Sequence, residues 1–391
     1  MSQTLAILMD AYRELNARKM FWITLIISGL FMALFALLGA EDDKLTFATS
    51  EWPMPHAKTV YKSILKIALV SVWLSWAAVI LALISTASIF PDFMASGSID
   101  LYLARPISRL RLFLTKYLSA LLFVLLQATI FSIGAFFVVG LRAGEWKPSL
   151  FLAIPLITIF YSYLYAICVL LGVWTRSAIA SMLLTILIWF GIFGVHVAEN
   201  FTLTRLMVGQ AYVDIQQQRI ADADARLTAM GGPATASSTA PAETESQESS
   251  SVGDSNEASS ANIRRSRDRA VAAMQDRQAS LKTMKTWHTA FYVAMSILPK
   301  TGETVALLDR ELFERDEMEK LMSDAAERRR GRRSRITDED FQVEFEATLE
   351  GSRRTEAEIL SRSPLWVIGT SLVFEAVVLA FAAWIFCRRD Y

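Results

Sequence analysis

The chain has 391 residues, 53% of them apolar, and its 39 Lys+Arg balance 39 Asp+Glu for a formal net charge of zero. The charge is unevenly placed: Glu199 to Arg362 carries 23 basic and 28 acidic residues, and the rest of the chain 16 basic and 11 acidic. An apolar body joined to a charged insert excludes a single soluble globule, a secreted disulfide scaffold (the only cysteines are Cys168 and Cys387) and a nucleic-acid binder driven by overall basicity.

In chain order, residues 1–19 form a candidate amphipathic helix. Leu5, Leu8, Tyr12 and Leu15 recur at helical spacing and Arg13, Arg18 and Lys19 follow, which suits a helix lying on the cytoplasmic membrane surface. Six apolar runs are then long enough to cross a hydrocarbon core, which takes roughly 20 helical residues. They are Met20 to Ala40, Ile67 to Phe90, Tyr117 to Gly140, Leu150 to Trp174, Ala178 to Ala198 and Leu365 to Phe386. Backbone amides in lipid must pair within the segment, and the runs show no period-two alternation, so helices are expected. The fold class is an all-α polytopic membrane protein: six transmembrane helices, five of them within 20–198, and a large, partly disordered helical insert between helices five and six. A cytoplasmic N-terminus places ten Lys/Arg of the span flanks inside and six outside, so both termini are expected in the cytoplasm.

The second loop, Phe90 to Arg109, has readable physics. Ile99, Leu101 and Leu103 with Asp100 among them fit a short helix over 91–105. It must end by Arg105, because a residue before proline avoids the α region. Ser108 then fits as N-cap of the third span, and Pro91 marks the break from the second. A short stiff element pinned between two spans suits transfer of motion from a soluble partner into the membrane.

The insert, 199–363, is expected outside the cytoplasm. Phe201 to Met230 and Ile263 to Thr286 read as helices. Between them the tract 231–262, with nine Ser and no Lys or Arg, buries too little apolar surface to order itself. Trp287 to Leu298 is apolar but too short to span, hence re-entrant or interfacial, and ends at Pro299. Thr304 to Arg333 and Thr337 to Leu360 read as charged helices, and six arginines within Arg328 to Arg335 read as a solvated end or an anion site. In the last span, Glu375 sits near mid-membrane. A charge there costs on the order of 2.5–3.5 kcal/mol, so it should face protein or a cavity, or be protonated, as a pathway or proton-linked residue or as a hydrogen-bond partner of Gln127 or of a span-four hydroxyl such as Tyr161 or Tyr163.

The second loop resembles that of ABC transporter permeases of the second exporter type, the ABC-two family. The match lies at Gly97, Asp100, Leu101, Leu103, Ala104, Pro106, Ile107, Ser108, Arg109 and Lys116, with Ser98, Tyr102 and Thr115 as departures. The resemblance covers the membrane body, and the insert has no counterpart in it. It implies a bacterial inner-membrane permease subunit, one half of an exporter, pairing with a second permease subunit in the lipid bilayer. A separate ABC ATPase subunit would dock on the coupling helix through Asp92, Gly97, Ser98, Asp100, Leu101, Leu103, Arg105, Pro106 and Arg109. The chain has no G-x-x-x-x-G-K-[ST] stretch, so no cofactor and no catalytic residue is expected in it; ATP and Mg belong to the partner. No metal site is expected, since His56, His196 and His288 are scattered, and no nucleic-acid partner. The competing reading is a membrane-anchored scaffold or sensor acting through its extracytoplasmic insert.

Overall fold

The computed structural model describes residues 19–41, 44–47, 50–53, 60–61, 64, 66–94, 108–144, 146–230, 251–312 and 339–388. The N-terminal surface helix, the loop residues 95–107, the tract 231–250 and the arginine cluster lie outside the described residues.

The described chain is overwhelmingly helical. Five of its helical stretches are long and apolar enough to cross a membrane: Val72–Phe93, Arg109–Arg142, Pro148–Thr175, Ala178–Ala229 and Pro364–Arg388. The remaining apolar helix, Trp22–Leu37, is shorter. It belongs to α1 (Lys19–Leu37), which stops three residues before Ala40 because the chain turns into a strand. Strands β1 (Leu38–Glu41), β2 (Lys44–Phe47) and β3 (Ser50–Pro53) form an antiparallel meander in the order 1-2-3. This small sheet departs from the all-helical expectation. Arg142 fastens it, donating through Nη2 to the Leu37 carbonyl at 3.1 Å and through Nε to the Leu38 carbonyl at 3.2 Å, acceptors that a helix end leaves open. Lys44 and Glu51 pair across β2 and β3 at 2.9 Å.

The second apolar run begins as a π-helical stretch, Lys66–Ala77, and continues as α2 (Ala78–Thr86) and, after a turn, α3 (Ile89–Phe93). The wider turns set Trp73 against Phe31, ring centroids 4.1 Å apart, and Trp76 against Trp189 at 4.7 Å. The break falls at Ala87 and Ser88 rather than at Pro91 itself, since a proline ring collides with the carbonyl four residues earlier, here that of Ala87. Ser108 caps α4 (Arg109–Ala143) as the sequence indicated, its hydroxyl accepting from the Arg111 amide at 3.4 Å. The left-handed Gly144 (φ 71°) closes the far end of α4. A 3-10 turn, Pro148–Leu152, leads into α5 (Ala153–Thr175). Arg176 takes a left-handed conformation (φ 54°) and turns the chain into α6 (Ala178–Ala229), whose first turn is capped by Ser177 accepting from Ala180 N at 3.3 Å. Then come α7 (Ser251–Ile297), α8 (Thr301–Leu312), α9 (Glu339–Ser361) and α10 (Pro364–Arg388).

Two boundaries in the insert differ from expectation. Ser251 to Asn262, placed by composition in the disordered tract, begins α7: extending a helix already nucleated costs far less than starting one. Trp287 to Leu298 is no separate segment either, since α7 runs through it to Ile297, just short of Pro299.

The described residues fall into two compact units. The first is drawn from Met1–Val195, Met295–Arg332 and Ser363–Tyr391, the second from His196–Ala294 and Arg333–Arg362. Part of the presumed insert, Met295 to Leu312, therefore belongs with the apolar helices. In the first unit α5 is central, packing on α4, α8 and α10. Of its most apolar stretch 78% is buried, against 22% for α6 and for α10, which leaves those two helices the broadest faces for lipid.

In the second unit, residues of α6, α7 and α9 lock by close approach and ion pairs. A Cβ on Gly351 of α9 would lie 2.4 Å from the Val208 Cα of α6, so only glycine permits this crossing. Arg354 donates to Asp214 and Arg267 to Asp224, each at 2.6 Å. Deeper, Arg362 donates to Glu199 at 2.6 Å, with His288 Nε2 3.5 Å from the same carboxylate oxygen.

Candidate functional site

The first unit carries two regions able to do chemistry: a polar network among its helices and the end where the second loop emanates. The network centres on Glu375, which α10 holds with 8% of its surface exposed. Its Oε1 accepts from the Tyr117 hydroxyl of α4 at 2.8 Å and its Oε2 from Ser162 Oγ of α5 at 2.7 Å. The Tyr117 hydroxyl also lies 3.1 Å from the Ser162 carbonyl. Glu375 faces protein, as a charge in an apolar span must.

The partners differ from those the sequence suggested. Span-four hydroxyls do meet Glu375, but through Ser162, not Tyr161 or Tyr163. Tyr161 instead pairs with Thr86. Gln127 is buried in a different place, among Ser28, Trp73, Phe131 and Tyr161, and does not bond Glu375. An i, i+1 step on α5 turns side chains about 100° apart, so which hydroxyl reaches α10 depends on how the helices cross, which spacing alone does not encode.

One turn before Glu375, α10 receives a residue that sequence reasoning passed over. Lys300, at the turn between α7 and α8, is fully buried. Its backbone N donates to Ser371 Oγ at 2.9 Å and its ammonium to Thr370 Oγ1 at 2.7 Å, while the Trp366 ring lies 4.2 Å from that ammonium. Thr304 caps the turn by bonding the Lys300 carbonyl at 2.8 Å. Tyr163 of α5 lies beside the Thr304 and Ser371 hydroxyls without closing a well-formed hydrogen bond. Lys300, Ser371 and Glu375 thus form a polar track along one side of α10. The sequence signal was a lysine directly after Pro299, at the tip of the apolar Trp287 to Leu298 segment.

At the other region Asp92 is exposed in α3. Arg109, in the first turn of α4, donates from Nη1 to the Cys387 carbonyl near the end of α10 at 3.2 Å. A Cβ added to Gly172, three residues before the end of α5, would lie 3.5 Å from the Pro91 ring. The end of the second apolar run, the start of α4 and the ends of α5 and α10 therefore gather at one end of the first unit. Gly97, Ser98, Asp100, Leu101, Leu103, Arg105 and Pro106 lie outside the described residues.

A family model of unknown function, DUF2705, matches residues 22–208. The match covers slightly less than half of the chain. It takes in the apolar helices up to the middle of α6 and leaves out Lys300 and Glu375. No curated protein and no solved structure matches the chain.

Proposed function

We propose that this protein is the membrane-spanning permease subunit of an ATP-driven ABC exporter of the ABC-two type, driven by a separate ATPase subunit. The observation that carries the reading is the loop sequence from Gly97 to Arg109 between two apolar runs. Asp100, Leu101, Leu103 and Pro106-Ile107-Ser108-Arg109 follow the sequence pattern of the ABC-two loop on which an ATPase docks. The gathering of span ends around Arg109 and Cys387 supports it, since force applied at this loop would reach α4 and α10 together. In this reading α1 is the first span and brings the five long apolar helices to six: its 19 residues rise about 28 Å at 1.5 Å each, close to the core thickness. The termini are cytoplasmic, the membrane is the bacterial inner membrane, and a second permease subunit completes the path.

The test is co-purification with ABC ATPase subunits co-expressed from the same genome, followed by ATP-stimulated transport. Asp100→Arg, or deletion of Ser98 to Leu103, is expected to abolish the complex while the chain still inserts. An intact complex in both variants would refute the coupling assignment.

A scaffold or sensor acting through the insert is the second reading, favoured by the second unit being compact in its own right. Arg362→Ala, which breaks that unit's buried ion pair, separates the two. Lost function with the ATPase complex and its coupled hydrolysis intact would favour the scaffold.

A further inference from the structure

Away from the Glu375 network, three polar side chains of the first unit meet in one small space. Ser28 comes from α1, Trp73 from the π-helical stretch and Gln127 from α4. Each is more than nine-tenths buried, with 7%, 7% and 6% of its surface exposed. Ser28 Oγ, Trp73 Nε1 and both amide atoms of Gln127 have no hydrogen-bond partner among the described residues. All three residues line a cavity of about 20 Å³, walled otherwise by apolar side chains such as Phe131 and Ile157 and by Tyr161, whose hydroxyl pairs with Thr86.

Chance does not readily bring these groups together inside lipid. An amide with neither atom paired pays the full cost of leaving water, with no bulk solvent nearby to relieve it. Trp73 cannot turn away, because its indole is stacked between Phe31 and Phe131 at 4.1 and 6.2 Å. It also sits in a π-helical stretch, a distortion that costs regular hydrogen bonding and recurs where side chains are placed for function. A buried water needs roughly 10–15 Å³ and two to four polar partners, and the cavity offers both.

We propose that this cavity is a water-binding site within the membrane, where one or two water molecules bridge α1, the π-helical stretch and α4. The chemistry balances: the Trp73 N–H can only donate, the Gln127 amide donates and accepts, and the Ser28 hydroxyl rotates to do either. The inference does not depend on the transport reading.

The test uses the full chain in lipid nanodiscs and hydroxyl radicals generated from water by brief irradiation, with oxidation read by mass spectrometry. A buried side chain is oxidised efficiently only where water resides beside it. Trp189, buried to 3% exposure in an aromatic cluster, is the internal control of the same residue type. Trp73 is expected to oxidise severalfold faster than Trp189, and Ser28→Ala and Gln127→Leu to remove most of that excess. Equal rates for the two tryptophans in the unaltered protein would overturn the proposal, whatever the variants do. So would a Gln127→Leu protein that unfolds at a higher temperature than the parent, the result expected of an amide that is simply dry and unpaired. Unchanged Trp73 oxidation in both variants would overturn it as well.

Discussion

Glu375 is held by two hydroxyl donors from two other helices, and removing either has a definite cost. Tyr117→Phe or Ser162→Ala leaves a buried carboxylate oxygen without its donor, a loss of about 1–3 kcal/mol. Either variant should lower the midpoint of thermal unfolding in detergent. The double variant should depart from the sum, because both hydroxyls serve the same carboxyl group. Arg176 argues in the opposite direction. Its left-handed backbone is strained for a residue with a Cβ, so Arg176→Gly should stabilise by up to about 1 kcal/mol in the same measurement. Glu51, outside the spans, has its acidity strengthened by Lys44, which holds its carboxyl below the ordinary 4.5. Its contribution to stability is therefore present above the unfolded value and lost as pH falls through the lower folded one. Fully exposed, it should show only as faster hydrogen exchange of β2 and β3 amides in acid, a change that Glu51→Gln abolishes. At this scale the sequence exposed what is anomalous in its run, a lone acid in apolar surroundings, and hid what answers it. Ser162 and Tyr117 are unremarkable residues made important by helix crossings.

Among the elements, the second unit depends on places where there is no room or no water. Arg362→Ala leaves Glu199 buried without its partner, a penalty of about 3–5 kcal/mol. Gly351→Ala would push a methyl group into the Val208 backbone and force α6 and α9 apart. Both variants should make 196–294 and 333–362 sensitive to limited proteolysis while the apolar helices stay resistant. Element by element, the apolar runs, the Ser108 cap and the stop at Pro299 were readable because each rests on local chemistry: length, a side-chain acceptor, a missing amide. The meander of β1 to β3 was not, since four-residue strands carry too few residues for a period-two pattern to stand out, and their anchor, Arg142, is about a hundred residues away. The π-helical stretch was equally hidden, because it is a response to packing around Trp73 and Trp76.

For the molecule as a whole, composition separated an apolar body from a charged insert but misjudged where one ends. Met295 to Leu312 counts as insert by position and as body by packing. The reason is Lys300, whose charge marks the segment as solvent-facing while Thr370, Ser371 and Trp366 supply a buried berth for it. Lys300→Met should retain the apolar packing and the backbone bond to Ser371 and lose the ammonium's bond to Thr370. Cysteine pairs placed at positions 300 and 370 should then cross-link less readily in the neighbouring variant Thr304→Ala than in the parent, reporting a loosened turn. Function was the least legible property, because a loop proposed to meet an ATPase is only one half of an interface.

The berth of Lys300 also sets an order of events during synthesis. Its hydrogen-bonding partners on α10 emerge from the ribosome about 70 residues after it. Until they arrive, Lys300 has neither the Ser371 nor the Thr370 hydroxyl to bond. The turn at Pro299 and Lys300 is therefore expected to reach its final packing only once α10 has been made.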